Sequence, residues 1–276
     1  ADGLVIAEGY VAVVLKTLPR ALTDGDPIQA LVTGIGCSSD GKGKSLWAPR
    51  KEGQVKAMER AYRGGLDVGT LQYVEAHATS TSLGDATELA TLAEALGGKL
   101  PPGTKIPVTS VKANIGHALE TAGLAGLIKT VLCMQRRMTV AAINIESLNA
   151  KIDWATAPIF VPRENRPWPE PPAGQPRRAA VNAFGIGGLN MHVVVEELTD
   201  GLRRRWTTEP HSLAVHGGQG TAVGDASPPG EARAIAIIGR GCILPGAGSV
   251  DAFWDLIRSN RDPKGPTPEG RWRSEL

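Results

Sequence analysis

Twice in this chain a short apolar run ends in a histidine loop and passes into a helix-patterned stretch, and this repeat limits the possible fold more than any other feature. Residues 71–75 run into His77, after which Gly84 and Asp85 open a helix with Leu89, Leu92, Ala93 and Leu96 on one face. Asp85 and Glu88 have capping-box spacing. Residues 106–111 repeat the scheme towards His117, and Leu124, Leu127, Ile128, Val131 and Leu132 mark a second helix. Arg136 and Arg137 close it, where cations suit the helix dipole. The order is strand, histidine loop, helix, twice over.

Around this unit, residues 4–18 alternate like a strand about Val11, Val13 and Leu15. Asp24-Gly25-Asp26-Pro27 supplies a turn before a strand over 28–35, and a helix fits 52–62. A proline-rich passage at 166–176 reads as a strap. Residues 179–184 and 191–197 read as a hairpin turning on Gly185, Gly187 and Gly188. From 199 to 233 the composition shifts to Gly, Ser, Pro and charge, as in a flexible linker. A fresh strand begins at 234 and leads through Pro245-Gly246 into an amphipathic helix around Phe253, Trp254, Leu256 and Ile257.

With 30 basic and 28 acidic residues the net charge is +2, so nothing global calls for nucleic acid or an anionic membrane. The one basic cluster, Arg203, Arg204 and Arg205, reads as part of the solvated linker. No apolar run approaches the ~20 residues of a spanning helix. Cys37, Cys133 and Cys242 are odd in number, far apart and without metal-ligand spacing, which argues for a reducing compartment, by default the cytoplasm, and against a metal site. The chain begins without Met inside a strand-like run and stops soon after a new strand starts, so both ends are expected to be cut from something longer.

Imidazoles at strand ends can polarise a carbonyl, and the Gly, Ala, Ser and Thr around them leave room for a substrate arm, so the residues themselves suit acyl chemistry. Their motifs are specific. His77-Ala78-Thr79-Ser80-Thr81 with Gly84-Asp85, then Ser110-Val111-Lys112-Ala113-Asn114-Ile115-Gly116-His117, then Asn182-Ala183-Phe184-Gly185-Ile186-Gly187-Gly188-Leu189-Asn190 resemble the beta-ketoacyl synthases in order and spacing. The likeness covers residues 1–198 as the C-terminal half of a ketosynthase. Ser38-Ser39-Asp40-Gly41-Lys42-Gly43-Lys44 and Ala48-Pro49-Arg50 look closest to ketosynthases of polyunsaturated fatty acid and polyketide type. The stretch Ile238-Gly239-Arg240-Gly241-Cys242-Ile243-Leu244-Pro245-Gly246, with Trp254 and Arg271-Trp272, resembles the opening of a second, truncated ketosynthase-like domain over 234–276.

The resemblance implies an α/β thiolase-like fold, a mixed sheet with helices packed on it. It implies an acyltransferase of fatty acid or polyketide biosynthesis, performing a decarboxylative Claisen condensation of acyl and malonyl thioesters. His77 and His117 match the family histidines that hydrogen-bond the thioester oxygen, and Lys112 the lysine whose charge tunes the site. Thr79 and Thr81 match the threonines that bind the phosphopantetheine arm of an acyl carrier protein. Phe184, Ile186, Gly187 and Asn190 fall in the substrate-lining hairpin, with the Ile186 N–H as an oxyanion donor. No directly bound cofactor or metal is implied; the carrier protein, a homodimeric copy and the second ketosynthase-like domain are the implied partners. Ala78 and Ser80 replace glycines found in many relatives, which narrows the arm's path. Cys37-Ser38-Ser39 imitates the nucleophile motif but lies in the wrong place, and His192 reads as a core histidine. Glu120 reads as a helix-start acid outside the site. The alternative function is a non-catalytic chain-length-factor-like partner, against which both histidines and Lys112 argue.

Overall fold

A computed structural model describes residues 3–41, 48–208 and 234–265. The chain opens with β1 (Tyr10–Thr17), α1 (Leu18–Thr23), β2 (Ala30–Ser39) and α2 (Lys51–Ala61). The repeated unit follows as β3 (Tyr73–Glu75), α3 (Ser82–Leu96), β4 (Ile106–Thr109), α4 (Lys112–Ile115) and α5 (Ala122–Gln135). Then come β5 (Met138–Thr139), β6 (Ile159–Phe160), β7 (Arg166–Pro167), the hairpin β8 (Arg178–Gly185) and β9 (Leu189–Glu196), and α6 (Asp200–Thr208). The last elements are β10 (Ile235–Ile243) and α7 (Val250–Arg258).

Eight strands form one mixed sheet in the order β1-β10-β2-β9-β8-β3-β4-β6, and β5 pairs β7 separately. β3 is parallel to β4 and β8, and β4 to β6, because helical crossovers return the chain to the same edge direction. The β8–β9, β2–β9 and β1–β10 pairs are antiparallel.

Alternation along the strands sorts side chains onto the two faces. Tyr73, Ala179 and Val181 join α5 and α7 in one core, whereas Val74 and Ala180 join Met58 of α2 and Leu92 and Leu96 of α3 in the other. α5 is buried from Ala125 to Met134, as a helix that is apolar all round requires. Close approach needs small residues: a Cβ on Gly36 of β2 would stand 1.7 Å from the Ala57 carbonyl oxygen of α2, so only glycine lets that helix seat.

The repeated strand, histidine loop, helix unit and the hairpin are where the sequence places them. Two expectations are corrected. The helix start assigned to Asp85 and Glu88 is capped instead by Thr81, whose Oγ1 accepts the Gly84 N–H at 3.2 Å. Residues 200–208, including Arg203 to Arg205, are helical rather than linker, because Leu202 finds an apolar seat beside the Leu18 cluster; residues 209–233 of the expected linker lie outside those described. The strand expected from 234 is β10, which pairs with β1 and β2. Arg271 and Trp272 lie outside the described residues. The proline-rich strap is ordered, with Trp168 2 % exposed against the core.

Candidate active site

The ends of β3 and β4 bring the two histidines together: their ring centroids are 5.7 Å apart, nearly perpendicular at 86°. Phe184, at the end of β8, closes one side, 5.5 Å from the His77 ring. Each loop is fixed by a different set of bonds.

In the His77 loop a buried carboxylate takes the place of a strand neighbour. Glu88 of α3 accepts the backbone N–H of His77 at 2.8 Å and of Ala78 at 2.7 Å. It also accepts the Asn182 amide at 2.9 Å, and Asn182 in turn accepts the His192 Nδ1 hydrogen at 2.6 Å. Burial pushes the Glu88 carboxyl up, and the amides that bind it pull it back. Asp85 accepts the Ser80 N–H at 3.1 Å. These bonds hold Ala78 at φ +29° and Ser80 at φ +62°, in the left-handed region that costs a residue with a side chain about 1 kcal/mol or more. Glycine would adopt both conformations without that cost, so the chain carries the strain of two side chains there.

The His117 loop is held from outside. Its N–H donates to the Val5 carbonyl at 2.7 Å, its own carbonyl accepts the Ala7 N–H at 3.0 Å, and Gly3 N–H donates to Ser80 of the other loop. Residues 3–7 thereby stitch both loops together. Glu75 accepts the Val111 N–H at 2.5 Å at the start of the loop. Glu75 is itself paired with Lys129 at 2.8 Å, both side chains no more than 2 % exposed, and with the Tyr73 hydroxyl at 2.7 Å. Nδ1 of His117 accepts the Leu119 N–H at 3.0 Å, so the neutral ring carries its proton on Nε2.

Electrostatics keeps both rings neutral. Burial, then the Lys112 charge and the other imidazole, push His77 down to about 2. Burial and Lys112 lower His117 as well. Lys112 is lowered by burial, with Glu75, Glu88 and Asp85 opposing. A pair of neutral N–H donors near the half-buried Lys112 is suited to binding a developing oxyanion without giving up a proton.

The remaining site residues divide. Thr79 lies beside Thr81, hydroxyl oxygens 3.3 Å apart, and Thr81 is committed to capping α3. Ile186 sits at the hairpin tip, 66 % exposed, and Gly187 there has φ +91°. Asn190 is not brought to the cleft: it is buried, and its amide donates to Asp40 at 2.7 Å, tying the loop after β2 to the hairpin. His192 is fully buried and held at about 3 by desolvation, as a core histidine. Glu120 is exposed. Cys37 is exposed on β2 opposite Met191, while burial pushes Cys133 up to about 12 and raises Cys242. Sequence reasoning missed Glu88, Asn182 and Glu75 as the supports of the loops; the capping-box spacing was the one signal pointing at Glu88. Among the described residues no cluster has the makings of a metal site, and no helix is long and apolar enough to cross a membrane.

Such a sheet with helices on both faces and paired histidines at strand ends is the thiolase-like fold that ketosynthase structures share. The chain belongs to the beta-ketoacyl synthase family: residues 29–146 match the family's C-terminal domain and residues 232–276 its N-terminal domain. It is 42% identical over 206 residues to the non-reducing polyketide synthase olcA of Penicillium canescens, covering 71% of this chain and 8% of that protein. It is 41% identical to the 6-methylsalicylic acid synthase of Penicillium expansum, covering 74% and 11%. Among solved structures, the module 6 ketosynthase of the bacillaene synthase of Bacillus subtilis 168 aligns with TM-score 0.64 and 36% identity, over 67% of this chain and 33% of that one. An oxazolomycin ketosynthase domain of Streptomyces albus JA3453 aligns at 0.61 and 38%, over 66% and 32%. The chain thus spans about a third of the matching ketosynthase structures and about a tenth of these two synthases.

Proposed function

We propose that this chain supplies the carbonyl-polarising part of a beta-ketoacyl-[acyl-carrier-protein] synthase working within a larger polyketide or fatty acid synthase. The observation that carries the reading is the facing pair of neutral imidazoles, one with its tautomer set by the Leu119 N–H. His117 donates Nε2–H, and His77 a ring N–H, to the oxygen of a malonyl thioester. The bond to the carboxylate then breaks, carbon dioxide leaves, and its electron pair becomes an enolate held by the two donors. The enolate carbon attacks an acyl thioester carbonyl, and the sulfur departs as thiolate. Removing one such donor costs ~3 to 4 kcal/mol of transition-state stabilisation. Lys112 adds charge without bonding to substrate.

In this reading Thr79 takes the phosphopantetheine arm of an acyl carrier protein and the N–H of Ile186, a residue exposed at the hairpin tip, takes the oxyanion, while Thr81 acts through its cap. None of the three cysteines is set up to carry the acyl chain, so we assign that thiol to another part of the synthase. Leu4, Val5, Ile6, Tyr10, Val14 and Leu15 are exposed apolar side chains, an apolar face suited to such a neighbour or to a second copy.

The test is condensation by the full-length synthase. His117→Ala is expected to lower it about 10²- to 10³-fold, and unchanged product would overturn the assignment. The 276-residue chain given radiolabelled malonyl thioester is expected to form no ketoacyl product; turnover there would restore Cys37 as a nucleophile.

A further inference from the structure

His192 takes no part in the chemistry above, yet it is fully buried on β9. Its register partners are Asn182 on β8 and Gly36 on β2. A cross-strand pair sets the His192 and Asn182 side chains beside each other on one face of the sheet. Gly36 lets α2 come close enough that Tyr62, the residue after that helix, stands by His192, with ring centroids 5.6 Å apart.

The hydrogen bonds among these groups can run in one direction only. Both oxygens of Glu88 accept backbone N–H groups, Oε1 that of His77 and Oε2 that of Ala78. Asn182 therefore turns its NH2 to Glu88 Oε1 at 2.9 Å, which leaves its Oδ1 facing His192 Nδ1 at 2.6 Å. Nδ1 must then carry the ring proton, and the bare Nε2 accepts the Tyr62 hydroxyl hydrogen at 3.3 Å. His192 is thus the opposite tautomer to His117. Burial holds the ring neutral, at about 3, so it keeps that single proton. An apolar side chain would fill the same space without the cost of burying two ring nitrogens.

We propose that His192 is a positioning residue for the His77 loop: it links Tyr62, at the end of α2, to a one-way chain of donors through Asn182 to Glu88, and so fixes the carboxylate that holds the His77 and Ala78 amides. The consequence for turnover rests on the condensation reading. The chain itself is read by exchange and nitrogen-15 signals, so either can fail while the other stands.

The test replaces each half of the ring in turn. An asparagine places its amide where Nδ1 stands, and a glutamine where Nε2 stands. In the 276-residue chain, His192→Gln is expected to speed exchange of the His77 and Ala78 amides about tenfold, as loss of one hydrogen bond allows, and His192→Asn to restore their protection. In the full-length synthase His192→Gln is expected to lower kcat for condensation about tenfold with KM for the malonyl thioester unchanged, and His192→Asn to recover it. Equal exchange in the two variants, or faster exchange with kcat unchanged, would overturn the positioning role. Should both variants fail to fold, Tyr62→Phe removes a single hydroxyl. It is expected to move the His192 Nε2 signal towards that of a bare ring nitrogen while Nδ1 stays protonated. An unmoved signal, or a wild-type His192 protonated on Nε2, would overturn the chain of donors. Condensation that survives His117→Ala would refute the two-donor reading instead, and the exchange and nitrogen-15 results would still decide the role of His192.

Discussion

The two histidine loops do the same job by opposite means. The His77 loop is wired from within: Glu88, one helical stretch away, holds two consecutive amides and forces Ala78 and Ser80 into left-handed backbone. The His117 loop is wired from afar, by Val5 and Ala7 at one end of the chain, Glu75 from the sheet and Lys264 at the other end. A self-contained loop can be read in a local stretch of sequence, whereas a loop held by distant partners cannot. It also follows that damage to the first should stay local and damage to the second should spread.

The largest effect is expected at the buried pair under the His117 loop. Lys129→Ala strands the Glu75 carboxylate in the core and is expected to cost about 3 to 5 kcal/mol, lowering the unfolding midpoint steeply in urea. A cost below about 1 kcal/mol would show that Glu75 is not the anchor of that loop. Glu88→Ala leaves three donors unpaired, those of His77, Ala78 and Asn182, and is expected to cost about 2 to 4 kcal/mol. Its amide exchange should rise in residues 76–81 and not at His117; equal loosening of both loops would erase the contrast between them.

Acid should act through the buried imidazoles. A histidine whose folded pKa is depressed stays neutral while the unfolded chain takes up a proton, so stability is present above about pH 6.5 and is lost as pH falls below it. For fully buried His192, held at about 3, the loss by pH 4.5 is about 2 to 3 kcal/mol, and His77, held at about 2, adds to it in the same window. A pH-independent urea midpoint between 7 and 4.5 would contradict neutral burial of these rings. The smallest effect is a gain: Ser80→Gly relieves the φ of +62° and is expected to stabilise by up to about 1 kcal/mol, read as a rise in Tm. A fall would mean that the strain is absent.

Much of the fold was legible because its signals are local. The apolar runs, the amphipathic helices and the glycine turn of the hairpin lie in short windows, and the histidine, lysine and hairpin motifs were named from sequence. What was not legible depends on pairing over long separations. Nothing within residues 234–243 tells that β10 will sit between strands formed more than 190 residues earlier. Glu88 looks like a helix cap until Asn182, 94 residues on, is seen donating to it. Asn190 shares a motif with substrate-lining residues, yet Asp40, 150 positions away, claims its side chain. Arg203 to Arg205 look like linker because, among the described side chains of α6, Leu202 is the one that joins an apolar cluster.

Nitrogen-15 NMR of the histidine rings in the full chain tests whether this is a centre of two neutral donors. His77 is expected to remain neutral down to pH 4.5, and His117 to show protonated Nε2 with Nδ1 bare and accepting the Leu119 N–H. An imidazolium at either position near pH 6.5, or a His117 ring protonated on Nδ1, would contradict it.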